Sequence, residues 1–166
     1  MNTIYLFDWG DTLMVDFPKQ PGKMCDWPEV RTVEGALATL AQLSRQHAIY
    51  IATNAADSAE ADIHAVFSRV GLAPFIRGYF CKANLGIGKG SPEFFERLAA
   101  ALAVPTSALL MVGDSYHNDI APALAAGAQA IWFNPAGRVN AQAPQVRQIR
   151  ELTALIDVEK ENDHEH

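Results

Sequence analysis

The sequence predicts an α/β fold built on a parallel β-sheet with helices on both faces. Two observations carry that prediction. Five short apolar, β-rich runs recur along the chain, and helical patterns lie between most of them. The runs are near-continuously apolar rather than alternating, as strands buried on both faces are. A chain of 166 residues is long enough to bury a real core as one domain. We take residues 1–158 as that domain and 159–166, EKENDHEH, as a polar, frayed tail.

The first strand is TIYLF (3–7). Residues 15–28, VDFPKQPGKMCDWP, carry three prolines and a glycine and read as a loop. A helix is predicted over 29–46, with Val30, Val33, Leu37, Leu40 and Leu43 on one stripe. AIYIA (48–52) is the second strand. The helix over 58–70 recurs through Ile63, Val66, Phe67 and Val70 and stops at Gly71. RGYFC (77–81) is the third strand. The next helix, 91–104, has Ser91 as N-cap and Pro92 at its first position. ALLMV (108–112) is the fourth strand. A helix over 118–127 follows, with Pro122 in its first turn and Gly127 past its end. AQAIWF (128–133) is the fifth strand, and a last helix is predicted over 143–158. There is no internal repeat and no domain linker.

Composition narrows the function. Thirteen basic residues stand against 19 acidic ones, a formal net charge of -6. That argues against a nucleic-acid or membrane-surface binder, which would carry a basic face. No stretch approaches the roughly 20 apolar residues of a membrane span. The two cysteines, Cys25 and Cys81, show no CxxC or zinc spacing and read as reduced thiols of a cytoplasmic protein.

In open α/β sheets, ligands bind beyond the carboxyl ends of the strands. Asp8 follows the first run, Thr53 and Asn54 the second, Gly113 and Asp114 the fourth, and Lys89 lies just before the 91–104 helix. In a parallel sheet all of these share one edge. Converging carboxylates repel unless a cation joins them, and hard oxygen ligands with open positions suit Mg²⁺. Thr53, free N–H groups at the following helix and Lys89 would receive a phosphate. A carboxylate in line with a bound phosphorus is a nucleophile for an aspartyl phosphate. A dinucleotide fold would instead want G-x-G-x-x-G after the first strand. A response-regulator receiver would place a lone Asp after the third strand, where this chain has Lys82.

The series DWGDT (8–12), IATN (51–54), GKGSP (88–92) and VGDSYHND (112–119), in that order, resembles the four motifs of the haloacid dehalogenase (HAD) superfamily. The resemblance spans roughly residues 4 to 135. It implies a three-layer, Rossmann-like core with a five-stranded parallel sheet of order 5-4-1-2-3. It also implies a Mg²⁺-dependent phosphohydrolase with Asp8 as nucleophile. Mg²⁺ would be held by Asp8, the Gly10 carbonyl and Asp114, with Asp119 in support through water. Thr53, Asn54 and Lys89 would bind the phosphoryl group of a substrate of unknown identity. Asp119 also fits a helix acid favoured by the dipole.

The chain departs from the family at one catalytic position. The pattern Asp-x-Asp-Gly-Thr reads here Asp8-Trp9-Gly10-Asp11-Thr12. The usual acid/base position holds Gly10, and the usual glycine is Asp11. Three outcomes stay open. Asp11 swings in, another group such as His117 or Asp57 stands in, or the enzyme takes substrates with good leaving groups. The alternative function is a non-catalytic or regulatory HAD-like protein that binds phosphate or a partner. The intact GDxxxxD element argues against dehalogenation. The intervals between motifs leave no room for a substantial cap domain. An open site of that kind makes a homodimer an expectation and makes the 15–28 loop, with Phe17, Lys19, Lys23 and Trp27, the expected substrate reader.

Overall fold

The computed structural model describes residues 3–15, 22–53, 60–81, 85–138 and 146–164. Its sheet has strands β1 (Ile4–Phe7), β2 (Ile49–Ala52), β3 (Gly78–Phe80), β4 (Leu109–Gly113), β5 (Gln129–Phe133) and β6 (Gln148–Ile149). All pairings are parallel, in the order β3-β2-β1-β4-β5-β6. The five expected strands are present in the expected order, and β6 adds a sixth. The helices are α1 (Ala36–Leu43), α2 (Glu60–Arg69), α3 (Pro92–Leu102), α4 (Ala121–Ala125) and α5 (Ala154–His164). A π-helical turn, Tyr116–Ile120, leads into α4.

The sheet divides the core in two. Along β1, Tyr5 and Phe7 face one side and Leu6 the other, the period of two that a strand dictates. Tyr5 and Phe7 join Leu40 and Leu43 of α1, Ile63, Val66 and Phe67 of α2, and Leu155 of α5. Leu6 joins Phe94, Phe95 and Leu98 of α3 and Met111 of β4. Cys81 and Met111 are fully buried, as their place in the strand runs predicts.

Three elements differ from the sequence reading. The first helix begins at Ala36, not 29, because Gly35 takes a left-handed backbone with φ 83°. The segment before it lies extended against residues 13–15. Val33 N–H donates to Leu13 O at 2.7 Å, and Val15 N–H to Arg31 O at 2.8 Å. With that start the buried face is Ala36, Thr39, Leu40 and Leu43, and Leu37 turns outward, 54% exposed. The predicted 143–158 helix is replaced at Gln148–Ile149 by β6, where pairing with β5 outweighs local periodicity. Helix α5 then runs to His164, into the segment read as a frayed tail. Glu159 ties it down. It accepts hydrogen bonds from Tyr5 Oη and His47 Nε2, the latter at 2.7 Å. The His47 Nδ1 in turn lies 3.0 Å from Thr3 O.

The loop expected to read substrate does other work in its described part. Residues 22–28 carry a 3₁₀ turn at Met24–Asp26, and Met24 and Trp27 are buried in the core. Arg69 of α2 donates to Trp27 O at 2.8 Å, fastening the loop to that helix. Lys23 pairs with Asp62 at 3.0 Å. Phe17 and Lys19 lie outside the described residues.

Candidate active site

The carboxyl ends of β1, β2 and β4 lie side by side, because β1 pairs with both neighbours. Phe7 is in register with Val112, so Asp8 arrives beside Gly113, and Asp8 N–H donates to Val112 O at 3.0 Å. Asp114 follows one residue later. The π-helical turn then brings Asp119 back under β4. A side chain at Gly113 would collide with the Asp119 carboxylate, so glycine is required there by close approach. Carboxylate oxygens of Asp8, Asp114 and Asp119 all lie within 4.8 Å of one another.

Lys89 enters from the loop before α3, whose start is fixed by the Ser91 cap on Glu93 N–H. Its ammonium is buried between two acids, 2.8 Å from Asp8 Oδ1 and 2.6 Å from Asp119 Oδ1. The other Asp119 oxygen accepts from Ser115 N–H at 3.1 Å. Asp119 is fully buried and partnered on both oxygens, which is more than a helix-dipole acid would need.

Thr12 joins Asp8 and Asp114. Its Oγ1 lies 3.3 Å from Asp8 Oδ2 and 3.3 Å from Asp114 Oδ1, and accepts from Asp114 N–H at 3.1 Å. One hydroxyl proton thus serves two carboxylates. Trp132 Nε1 donates to Asp114 O at 3.0 Å and holds that turn against β5. Neither Thr12 nor Trp132 stood out in the sequence. Thr12 is the last residue of the first motif, and that was the available signal.

The charge balance defines the chemistry. Three carboxylates face one ammonium, a local surplus of two negative charges if all are ionised. Burial raises the Asp114 carboxyl from its ordinary 3.8 to about 8, with the Asp8 carboxylate next in effect. Burial and Asp8 raise Asp119 to about 6 against the lowering effect of Lys89. Burial pulls Lys89 down, but Asp8 and Asp119 outweigh it and hold the ammonium above its usual range. A divalent cation would remove the surplus, and an all-oxygen donor set fits a hard ion. Asp8 and Asp114 are the residues able to hold it, with Asp119 behind them.

The displaced acid, Asp11, has a left-handed backbone with φ 58°. This is the conformation a glycine would suit, and Asp is among the side chains that tolerate it. The turn around it is tight: Trp9 O accepts from the N–H groups of Leu13 and Met14 at 3.0 and 2.7 Å. Asp11 is exposed, and with Asp114 it lines a cleft of about 800 Å³. Gly10 precedes it and bridges to Met14.

Thr53 is buried at the end of β2, its N–H donating to Phe80 O at 2.9 Å. Asn54 and Asp57 lie outside the described residues. His117 is exposed on the π-helical turn and packs edge-on against Tyr116. Trp9 is buried against Phe67.

A family model for haloacid dehalogenase-like hydrolases matches residues 10–127, more than half of the chain. The chain belongs to the haloacid dehalogenase-like hydrolase family. A search of curated proteins finds no match. Among solved structures, an uncharacterized protein from Listeria monocytogenes serotype 4b is similar at 25% identity and a TM-score of 0.78, covering 95% of this chain and 99% of that one. A 2-haloacid dehalogenase from Pseudomonas syringae is similar at 20% identity and TM-score 0.77, covering 97% and 99%. A predicted phosphoglycolate phosphatase from Haemophilus somnus is similar at 15% identity and TM-score 0.75, covering 95% and 98%. The last two share the fold. Among the described residues no helix is long and apolar enough to cross a membrane.

Proposed function

We propose that this hydrolase is a Mg²⁺-dependent phosphatase acting on a phosphate monoester through an aspartyl phosphate at Asp8. The observation that carries the reading is the surplus of carboxylate that Asp8, Asp114 and the fully buried Asp119 gather around one ammonium.

When bound, Mg²⁺ supplies positive charge to the acids and to the phosphoryl oxygens. Asp8 and Asp114, with the Gly10 carbonyl, would hold it. The chain does the rest. Asp8 attacks phosphorus with one carboxylate oxygen, the new P–O bond forms, and the bond to the leaving oxygen breaks. Lys89 spends two of its three N–H bonds on Asp8 and Asp119, which leaves one for a phosphoryl oxygen. Thr53 and Asn54 complete the phosphoryl clamp. Asp11, on the cleft wall, gives its proton to the leaving oxygen. The resulting Asp11 carboxylate then takes a proton from the water that attacks phosphorus, and phosphate and free Asp8 are restored. An acid/base of this kind contributes about 10²–10⁴-fold in rate.

The test is phosphate release from p-nitrophenyl phosphate and a panel of natural esters, with Mg²⁺ and with EDTA. Turnover that needs Mg²⁺ and is abolished in Asp8→Asn is expected. Turnover that survives either treatment sinks the proposal.

A further inference from the structure

The cleft that Asp11 and Asp114 line continues to a wall of a different character. Arg138 and Arg150 lie on it, with Val33, Glu34 and Gly35 beside them. Three independent features prepare this wall for an anion.

The first is that Arg138 is placed, not merely present. Its backbone is clamped by Asn134, a buried residue at the end of β5. Asn134 Oδ1 accepts from Arg138 N–H at 3.0 Å, and Asn134 Nδ2 donates to Arg138 O at 2.8 Å. Asn134 N–H is fixed in turn to Ile149 O of β6 at 2.8 Å. The second is Arg150, one residue beyond β6, whose guanidinium lies over Gly137. A Cβ at Gly137 would fall on it, and Gly137 itself takes a left-handed φ of 66°. Both arginines therefore hang from the same β5–β6 edge. Neither forms an ion pair among the described residues, although Glu34 and Glu151 share the cleft. Their charge is not spent internally.

The third feature is the start of α1. Its N-cap is Gly35, which brings no side-chain acceptor. Among the described residues the N–H groups of Leu37 and Ala38 have no partner. A helix of eight residues thus starts from Gly35, which lines the cleft, and turns the positive end of its dipole towards that wall.

We infer that this wall is a subsite for a second anionic group, so that the substrate is a phosphomonoester carrying a carboxylate or a second phosphate. Placement of the first phosphoryl group rests on the phosphatase reading above. With that group at Asp8 and the leaving oxygen at Asp11, the rest of the substrate extends along the cleft. Its far anion then meets the guanidinium groups of two cleft-lining arginines, whose planar forks pair with carboxylate or phosphate.

The experiment measures binding to Asp8→Asn protein with Mg²⁺ by calorimetry. One arm compares 3-phosphoglycerate with glycerol 3-phosphate, and the other fructose 1,6-bisphosphate with fructose 6-phosphate. A preference of about tenfold or more for the doubly anionic member is expected in at least one arm. The arm that shows it identifies the second group as carboxylate or phosphate. Adding R138Q and R150Q, both exposed positions, should bring that ratio towards one. Ratios near one in both arms, or a ratio that the double substitution leaves intact, overturn the subsite. Turnover of p-nitrophenyl phosphate, which has no second anion, reads the phosphatase assignment separately. Turnover without anion preference removes the subsite alone. Anion preference without turnover removes the hydrolysis alone and leaves the subsite standing.

Discussion

Adding Mg²⁺ at two pH values perturbs the charge balance of the acid cluster directly. In metal-free protein, Asp114 near 8 and Asp119 near 6 hold protons that the unfolded chain, with carboxyls near 3.8, has already lost. The folded state binds more protons over that interval, so stability falls as pH rises from about 4 to about 8. A cation held by Asp8 and Asp114 must displace the Asp114 proton. At pH 6, two units below about 8, that competition weakens apparent affinity by about a hundredfold; at pH 8 it nearly vanishes. A hundredfold is about 2.7 kcal/mol of linked stability when the ion exceeds its Kd at both pH values. For a chain of this size that is a difference of about 5–11 °C in melting temperature. The assay is thermal unfolding with Mg²⁺ and with EDTA at pH 6 and pH 8. The Mg²⁺ shift should be larger at pH 8, and Asp114→Asn should abolish most of it. A shift that is absent at pH 8, or larger at pH 6, would refute the reasoning.

Other expectations follow from single contacts. Lys89→Met leaves Asp8 and Asp119 without their shared cation. It should cost about 3–5 kcal/mol in urea unfolding at pH 8 and less at pH 5, where Asp119, raised to about 6, takes up a proton; an unchanged midpoint at pH 8 would contradict this. Gly113→Ala drives a Cβ into the Asp119 carboxylate and should lower stability by about 1–3 kcal/mol or more. A melting temperature equal to wild type would show that Asp119 does not sit against that strand. Glu159→Ala strips Tyr5 and His47 of their acceptor and should cost about 1–3 kcal/mol. Hydrogen exchange should rise across 154–164, and unchanged protection there would remove Glu159 as the anchor of α5.

The five strands were legible because their runs are near-continuously apolar; their order was legible only through the resemblance of the four motifs to the superfamily. Asp8, Asp114 and Lys89 were legible because strand-to-helix connections in a parallel sheet converge on one edge; Asp119, on the π-helical turn, was legible only through the resemblance. What was not legible depended on contacts distant in sequence. Gly35 lies inside the predicted 29–46 helix, and only the pairing of 13–15 with 31–33 shows why the helix waits for Ala36. The two residues of β6 are visible only beside β5. Glu159 read as one acid in a polar tail, because its partners Tyr5 and His47 lie at the other end of the chain. Trp27 and Lys23 looked available on a proline-rich loop, but α2 takes up both through core packing and Asp62. Arg138 and Arg150 follow the β5 and β6 edges. Arg150 follows directly on β6, a strand inside the predicted 143–158 helix, so the strand-end rule does not reach it.

The central claim is an aspartyl phosphate at Asp8 whose breakdown depends on Asp11. The most direct measurement is rapid acid quench of Asp11→Asn protein turning over p-nitrophenyl phosphate with Mg²⁺, followed by peptide mapping. This ester has a good leaving group, so the phosphoryl group should transfer without an acid, and water attack should stall without a base. The account predicts a burst of p-nitrophenol matching the enzyme present, and a phosphoryl group on the peptide that contains Asp8. Steady turnover with no burst and no phosphorylated Asp8 peptide would contradict it.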